Sequence, residues 1–121
     1  MAKPCVLVVD DDRSIRDLVR NVLRPERFEI EEAADGQEAL ARIRIKRYDA
    51  VVLDLMMGPG NGFEVLHALN DDRPGEKCVI VLSATSQPVL DKLPIENIFA
   101  RIRKPFDIDE LLGAVQKCCE H

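Results

Sequence analysis

Apolar residues in this chain fall into two alternating patterns. Short runs that are apolar at nearly every position occur at Cys5–Val9 and at residues 50–53, 78–82 and 98–102. Such runs fit strands of a parallel sheet covered on both faces. Between them lie stretches with helical spacing. Residues 14–23 place Ile15, Leu18, Val19, Val22 and Leu23 on one face, and Arg24-Pro25 ends that helix. Phe28-Glu29-Ile30-Glu31 alternates, which predicts an edge strand with one solvated side. Asp35-Gly36-Gln37-Glu38 opens a second helix with Ala39, Leu40 and Ile43 inward. Its basic stretch, Arg44 to Arg47, lies near the end where the helix dipole favours cations. A third helix begins at residues 62–66. A last one spans Ile108–Cys118, with Asp107 or Asp109 available near its N-terminus. Residues 86–94 break the rhythm: Pro88 and Pro94 bracket five residues, so a fourth helix there is short or distorted.

Strands alternating with helices imply right-handed crossovers and an α/β fold. The expected architecture is a five-stranded parallel sheet in flavodoxin-like, doubly wound order 2-1-3-4-5, a (βα)5 arrangement. That order sets the first and third strands side by side at the switch point, where ligands of open α/β sheets bind.

The 121 residues fit one domain over 1–121, and 46% apolar with 32% charged residues is a globular balance. The net charge of −5 argues against direct nucleic-acid or anionic-membrane binding. Met1-Ala2-Lys3-Pro4 leads into an apolar run too short for a signal core or membrane span, so a cytoplasmic address is expected. Cys5, Cys78, Cys118 and Cys119 form no Cys-x-x-Cys pair and read as reduced packing thiols. The Met56-Met57 pair is expected to pack below the site.

The runs end in residues suited to phosphate chemistry: Asp10-Asp11-Asp12, Asp54, Ser83, and Lys104-Pro105. In a parallel sheet those ends share one edge. Clustered carboxylates repel unless a cation sits among them, and an all-oxygen set suits Mg²⁺. One carboxylate can act as a nucleophile toward phosphorus, while a hydroxyl and an ammonium stabilise the transferred charge. Taken singly, each of these residues is equally a turn, cap or surface residue. Their joint placement carries the inference. His67, among Val65, Leu66, Ala68 and Leu69, reads as a helix-surface or packing residue, and His121 as a terminal one.

Val8-Val9-Asp10-Asp11-Asp12, then Asp54 with Met57 and Gly62, then Ser83-Ala84, then Lys104-Pro105-Phe106 resemble a response-regulator receiver domain of two-component signalling, of the CheY-like superfamily. The likeness runs from Lys3 to about Cys118. It implies that Asp54 accepts a phosphoryl group from a phosphohistidine, with Mg²⁺ held by Asp10, Asp11 and the Met56 carbonyl. Ser83 would bond the phosphoryl group and move toward it, and Lys104 would pair with the phosphoryl or with Asp54. Asp12 is equally a helix cap or a site residue. The implied partners are a sensor histidine kinase or histidine phosphotransfer protein, a downstream effector domain or protein, and a phosphorylation-linked homodimer. The domain would be a signalling phosphoacceptor rather than an enzyme.

Two features depart from the family pattern. The loop reads Met57-Gly58-Pro59 where receivers usually have Met-Pro, and Arg101 stands where they usually carry an aromatic three residues before the lysine. Phe99 is the nearest aromatic and should share a strand face with Arg101. These departures support a rival, a receiver-fold binding module that signals without phosphorylation. A haloacid-dehalogenase-like phosphatase is a remote rival, because Met56 stands where it needs a second carboxylate. Met56 and Thr85 offer no carboxylate or amide to orient water, so dephosphorylation should take longer than seconds.

Overall fold

A computed structural model of the chain describes residues 3–26, 28–55, 64–68, 78–83 and 98–119. Five strands form one parallel sheet: β1 Cys5–Val9, β2 Glu29–Ala33, β3 Ala50–Asp54, β4 Val79–Ser83 and β5 Ile98–Arg103. Their order is β2-β1-β3-β4-β5, as the alternating pattern predicts. Helix α1 spans Arg13–Leu23, helix α2 spans Gly36–Ile45, residues 64–68 are helical, and the last helix spans Ile108–Cys118.

Strand alternation divides the core into two layers. On one face Leu7, Val9, Val51, Leu53, Val79 and Val81 pack with Ala39 and Ile43 of α2 and with Val65 and Leu66. On the other, Val6, Val8, Val52, Ile80, Leu82 and Ile102 pack with Val19 and Leu23 of α1 and Leu111 and Val115 of the last helix. β1, β3 and β4 are buried along their whole length, which explains their uninterrupted apolar runs.

The helices begin on the side chains that turn chemistry favours. Asp12 caps α1 by accepting the Ser14 N–H at 2.8 Å, so the structure gives it the cap role of the two left open. Asp35 accepts the Glu38 N–H at 2.8 Å while Glu38 accepts the Ala34 N–H at 2.7 Å, so the start of α2 is held from both sides. Asp107 caps the last helix by accepting the Asp109 N–H.

Several expectations need correction. β2 starts at Glu29 and runs to Ala33, and it has no simply solvated side. Arg16 and Arg20 bind Glu32 on the α1 face, while Arg42, Lys46 and Tyr48 bind Glu31 on the α2 face. Leu18 is exposed rather than on the buried face of α1. Helix α1 does end at Leu23, just before Arg24-Pro25 as expected, and a 3₁₀ turn over Arg24–Glu26 follows it. Cys78 and Cys118 form a disulfide, with Cα atoms 5.4 Å apart, instead of remaining thiols. Their positions explain the pairing: the start of β4 and the end of the last helix meet in the same core layer. Cys5 and Cys119 are free. Burial and the Asp49 charge push the Cys119 thiol up to about 11.

Met56, the loop at residues 57–62, Ala84, Thr85, residues 86–94 and His121 lie outside the described residues. Among those described, no helix is long and apolar enough to cross a membrane.

Candidate functional site

The register of β1 on β3 pairs Val9 with Leu53, so the next residues, Asp10 and Asp54, leave adjacent strand ends. Asp10, Asp54 and Lys104 share the alternation of Val8, Val52 and Ile102, so all three leave on the α1 side of the sheet. The Lys104 N–H donates to the Ser83 carbonyl at 2.8 Å, which holds the end of β5 on β4. The following Lys104–Pro105 peptide is cis.

The Lys104 ammonium donates to Asp10 Oδ2 at 2.9 Å and lies 3.4 Å from Asp54 Oδ2. Asp10 is 1% and Asp54 4% exposed, which is unusual for carboxylates and requires such a partner. Asp10 Oδ1 also accepts the Asp12 N–H at 2.9 Å. Asp11 is exposed, and one oxygen from each of Asp10, Asp11 and Asp54 lies within 4.8 Å of the others. Four of the five predicted side chains therefore converge.

Ser83 reaches the same edge by another route. It is fully buried at the carboxyl end of β4, one residue beyond the Leu82–Asp54 pair. Its alternation follows Val79 and Val81, so it belongs to the α2 side of the sheet. It flanks the carboxylates from the opposite face.

Burial pushes the Asp10 carboxyl above the usual aspartate range, and the Asp54 charge adds to that rise; the Asp12 N–H and Lys104 oppose it. Burial works against the Lys104 ammonium, but the hydrogen bond and charge of Asp10, with Asp54 beyond, outweigh it and raise its pKa. Among the described residues the three carboxylates face one ammonium, two positive charges short of balance. Hard oxygen donors, this charge deficit and one carboxylate open to solvent fit a divalent, partly hydrated cation such as Mg²⁺.

Sequence reasoning missed Arg16. Its helical position sits outside the apolar set of α1, which makes it look like a solvated residue. Its side chain is only 15% exposed: Nη1 donates to the Asp10 carbonyl at 2.8 Å and Nε to Glu32 Oε1 at 3.1 Å. Arg16 and Arg20 stand one turn apart on α1, both within reach of Glu32, and that spacing was the available signal.

Arg101 pairs with Val81 and is half-buried, with an Nε that is inaccessible and has no hydrogen-bond partner among the described residues. A register shift leaves Phe99 without a Cα partner on β4, and Phe99 is exposed. His67 is exposed on its helix, consistent with a surface role.

Residues 6–116 match the family model described as response regulator receiver domain. The chain is 37% identical over 111 residues to the probable transcriptional regulatory protein TcrX of Mycobacterium tuberculosis, covering 88% of this chain and 46% of that protein. It is 39% identical over 116 residues to the response regulator MprA of Mycolicibacterium vanbaalenii, covering 92% and 48%. The chain thus spans about half the length of these relatives. Among solved structures, a Francisella response regulator receiver domain superposes with a TM-score of 0.85 at 32% identity, covering 97% of each chain. The response regulator TrrA of Thermotoga maritima, in complex with Mg²⁺ and BeF, gives 0.85 at 32% identity, covering 95% and 98%.

Proposed function

The chain belongs to the response regulator receiver domain family, and from that premise we propose that it is a phosphoacceptor whose Asp54 takes a phosphoryl group from a phosphohistidine. Response regulators work in two-component signalling, so the donor is a sensor histidine kinase or a histidine phosphotransfer protein. In the proposed step an Asp54 carboxylate oxygen attacks phosphorus. A P–O bond forms, the P–N bond breaks, and the departing imidazole nitrogen takes a proton from solvent.

Asp10 and Asp11, with the Met56 carbonyl, would hold Mg²⁺, which supplies positive charge against the phosphoryl oxygens. Asp10 is kept in place by its bonds to Lys104 and Asp12. Lys104 starts in contact with Asp54 and can follow the new charge onto the phosphoryl group. Ser83 would bond that group from the other face. Hydrolysis of the acyl phosphate would reset the domain. The site handles its own phosphoryl group, and the role is signalling rather than metabolic catalysis.

The observation that carries this reading is the Lys104 ammonium bridging two buried aspartates beside an open third one. Labelling with acetyl phosphate or a phosphohistidine donor tests it. Asp54→Asn should abolish Mg²⁺-dependent labelling, and labelling of that variant at wild-type stoichiometry would overturn the assignment.

The relatives' greater length supports an effector domain or protein as output, with residues 1–121 acting as a single receiver unit in the cytoplasm. Arg101, in place of an aromatic, favours a second reading: a receiver-fold module that signals without phosphorylation. Mg²⁺ and beryllofluoride should shift amide resonances around Asp54 under the first reading and leave them unmoved under the second.

A further inference from the structure

The Asp11 carboxylate has no hydrogen-bond or ionic partner among the described residues, although it must face Asp10 and Asp54 to share a cation with them. Its backbone therefore has to aim it. We propose that Arg16 is a positioning residue for Mg²⁺, acting through the Asp10–Asp11 peptide. The inference rests on the reading of Asp10 and Asp11 as ligands.

Every polar group of Asp10 is held. Its N–H donates to the Ala33 carbonyl at 3.2 Å, and its two carboxylate oxygens accept from Asp12 and Lys104. Its carbonyl accepts from Arg16 Nη1 at 2.8 Å. Because a peptide unit is planar, fixing that carbonyl also fixes the Asp11 N–H, leaving only the Asp11 dihedrals to direct its side chain. The Asp12 N–H, tied back to Asp10, restrains those in turn.

Arg16 is itself anchored. Its Nε donates to Glu32 Oε1 at 3.1 Å, and Arg20 Nε holds the other Glu32 oxygen at 2.9 Å. Glu32 shares its one negative charge between Arg16 and Arg20, and the bond that Arg16 makes to Asp10 goes to the backbone carbonyl rather than to the carboxylate. Arg16 directs a backbone dipole without taking the cation's place. The planar fork meets its two acceptors through separate nitrogens, Nη1 and Nε, a fixed spread that the point charge of an ammonium does not reproduce.

Calorimetric titration of the metal-free protein with MgCl₂, beside urea unfolding in a chelator, tests the proposal. Arg16→Gln should weaken Mg²⁺ binding about 10- to 100-fold, the range for groups that orient metal ligands. Arg20→Gln leaves the Arg16–Asp10 bond in place and should keep the affinity within about threefold, whatever it does to unfolding. If Arg16→Gln loses stability yet binds Mg²⁺ like wild type, Arg16 is structural and the proposal is overturned. Should Arg16→Gln fail to fold, Arg16→Lys is titrated instead: weaker binding supports the proposal and wild-type binding overturns it. A wild-type protein that takes up no Mg²⁺ removes the ligand reading itself, a distinct outcome.

Discussion

The sheet carries an acidic cluster with a lysine at each end, and the two have opposite character. At the carboxyl end, Lys104 pairs with Asp10 and Asp54 while Asp11 stands beside them, and among the described residues these three carboxylates outnumber the cations that face them. Toward the amino end, Cys5, Glu29 and Glu31 also come close enough to hold a metal. There, however, Lys46 binds Glu31 at 2.5 Å and Glu29 at 3.6 Å, while Arg42 and Tyr48 add bonds to Glu31 at 3.2 and 2.8 Å. Two carboxylates meet two cations and a phenol. A donor set alone therefore does not mark a cation site; an unmet charge does. On the proposed reading, the amino end holds the fold together and the carboxyl end is the one that takes a cation.

Perturbing each end should accordingly move different observables. The largest effect is expected at the amino end, from the Cys78–Cys118 disulfide, which closes a loop with a sequence separation of 40. A loop of that size stabilises by about 4 kcal/mol through the entropy removed from the unfolded chain. Urea unfolding with and without reductant, or of Cys118→Ser, should show that loss, while acetyl-phosphate labelling of the folded fraction stays unchanged. Unaltered urea midpoints would break the comparison. In a reducing compartment the staple would open, and stability there would fall below that of the oxidised protein.

At the carboxyl end, Lys104→Met should lower the labelling rate of Asp54 about 100-fold, the scale for removing one preorganised charge-stabilising donor. Lys46→Met is the matched change at the other end and should leave that rate alone. If the two lysines give equal losses, the distinction between ends fails.

Much of this division was readable in the chain. Uninterrupted apolar runs gave strands buried on both faces, and parallel order then fixed which of their ends meet; Asp10, Asp54 and Lys104 follow from that step alone. The face of Ser83 needed the alternation of β4 counted against its neighbours. Arg16 stayed hidden because a helical period sorts positions by apolarity, whereas this arginine is half inside through its bonds to a backbone carbonyl and to β2. The same blindness applies to β2. Phe28-Glu29-Ile30-Glu31 alternates like a half-solvated strand, but ion pairs from helices on both sides cover Glu31 and Glu32. The disulfide depended on β4 and the last helix meeting at their ends, a tertiary fact that cysteine spacing does not contain.

The smallest expected effect sharpens the meaning of a met charge. Hydrogen bonds from Lys46 and then Tyr48, with the Lys46 and Arg42 charges, hold the Glu31 carboxyl below its usual range; burial opposes them. A group whose folded pKa is depressed adds stability above its unfolded pKa and loses it as pH falls through the folded value. Stability should therefore decline as pH drops below about 4.3, the ordinary Glu value. Glu31→Gln should remove that part of the acid limb and cost about 2 kcal/mol at neutral pH, as expected for bonds to charged groups. The Tyr48 hydroxyl, pushed up to about 12 by burial and then by Glu31, should titrate nearer its usual value in the same variant, which ultraviolet absorbance can follow. Mg²⁺ affinity should not move, since none of these groups touches Asp10, Asp11 or Asp54. A shift in that affinity would mean that the two ends are coupled through β1 and β2, and that the amino-end cluster does more than hold the fold together.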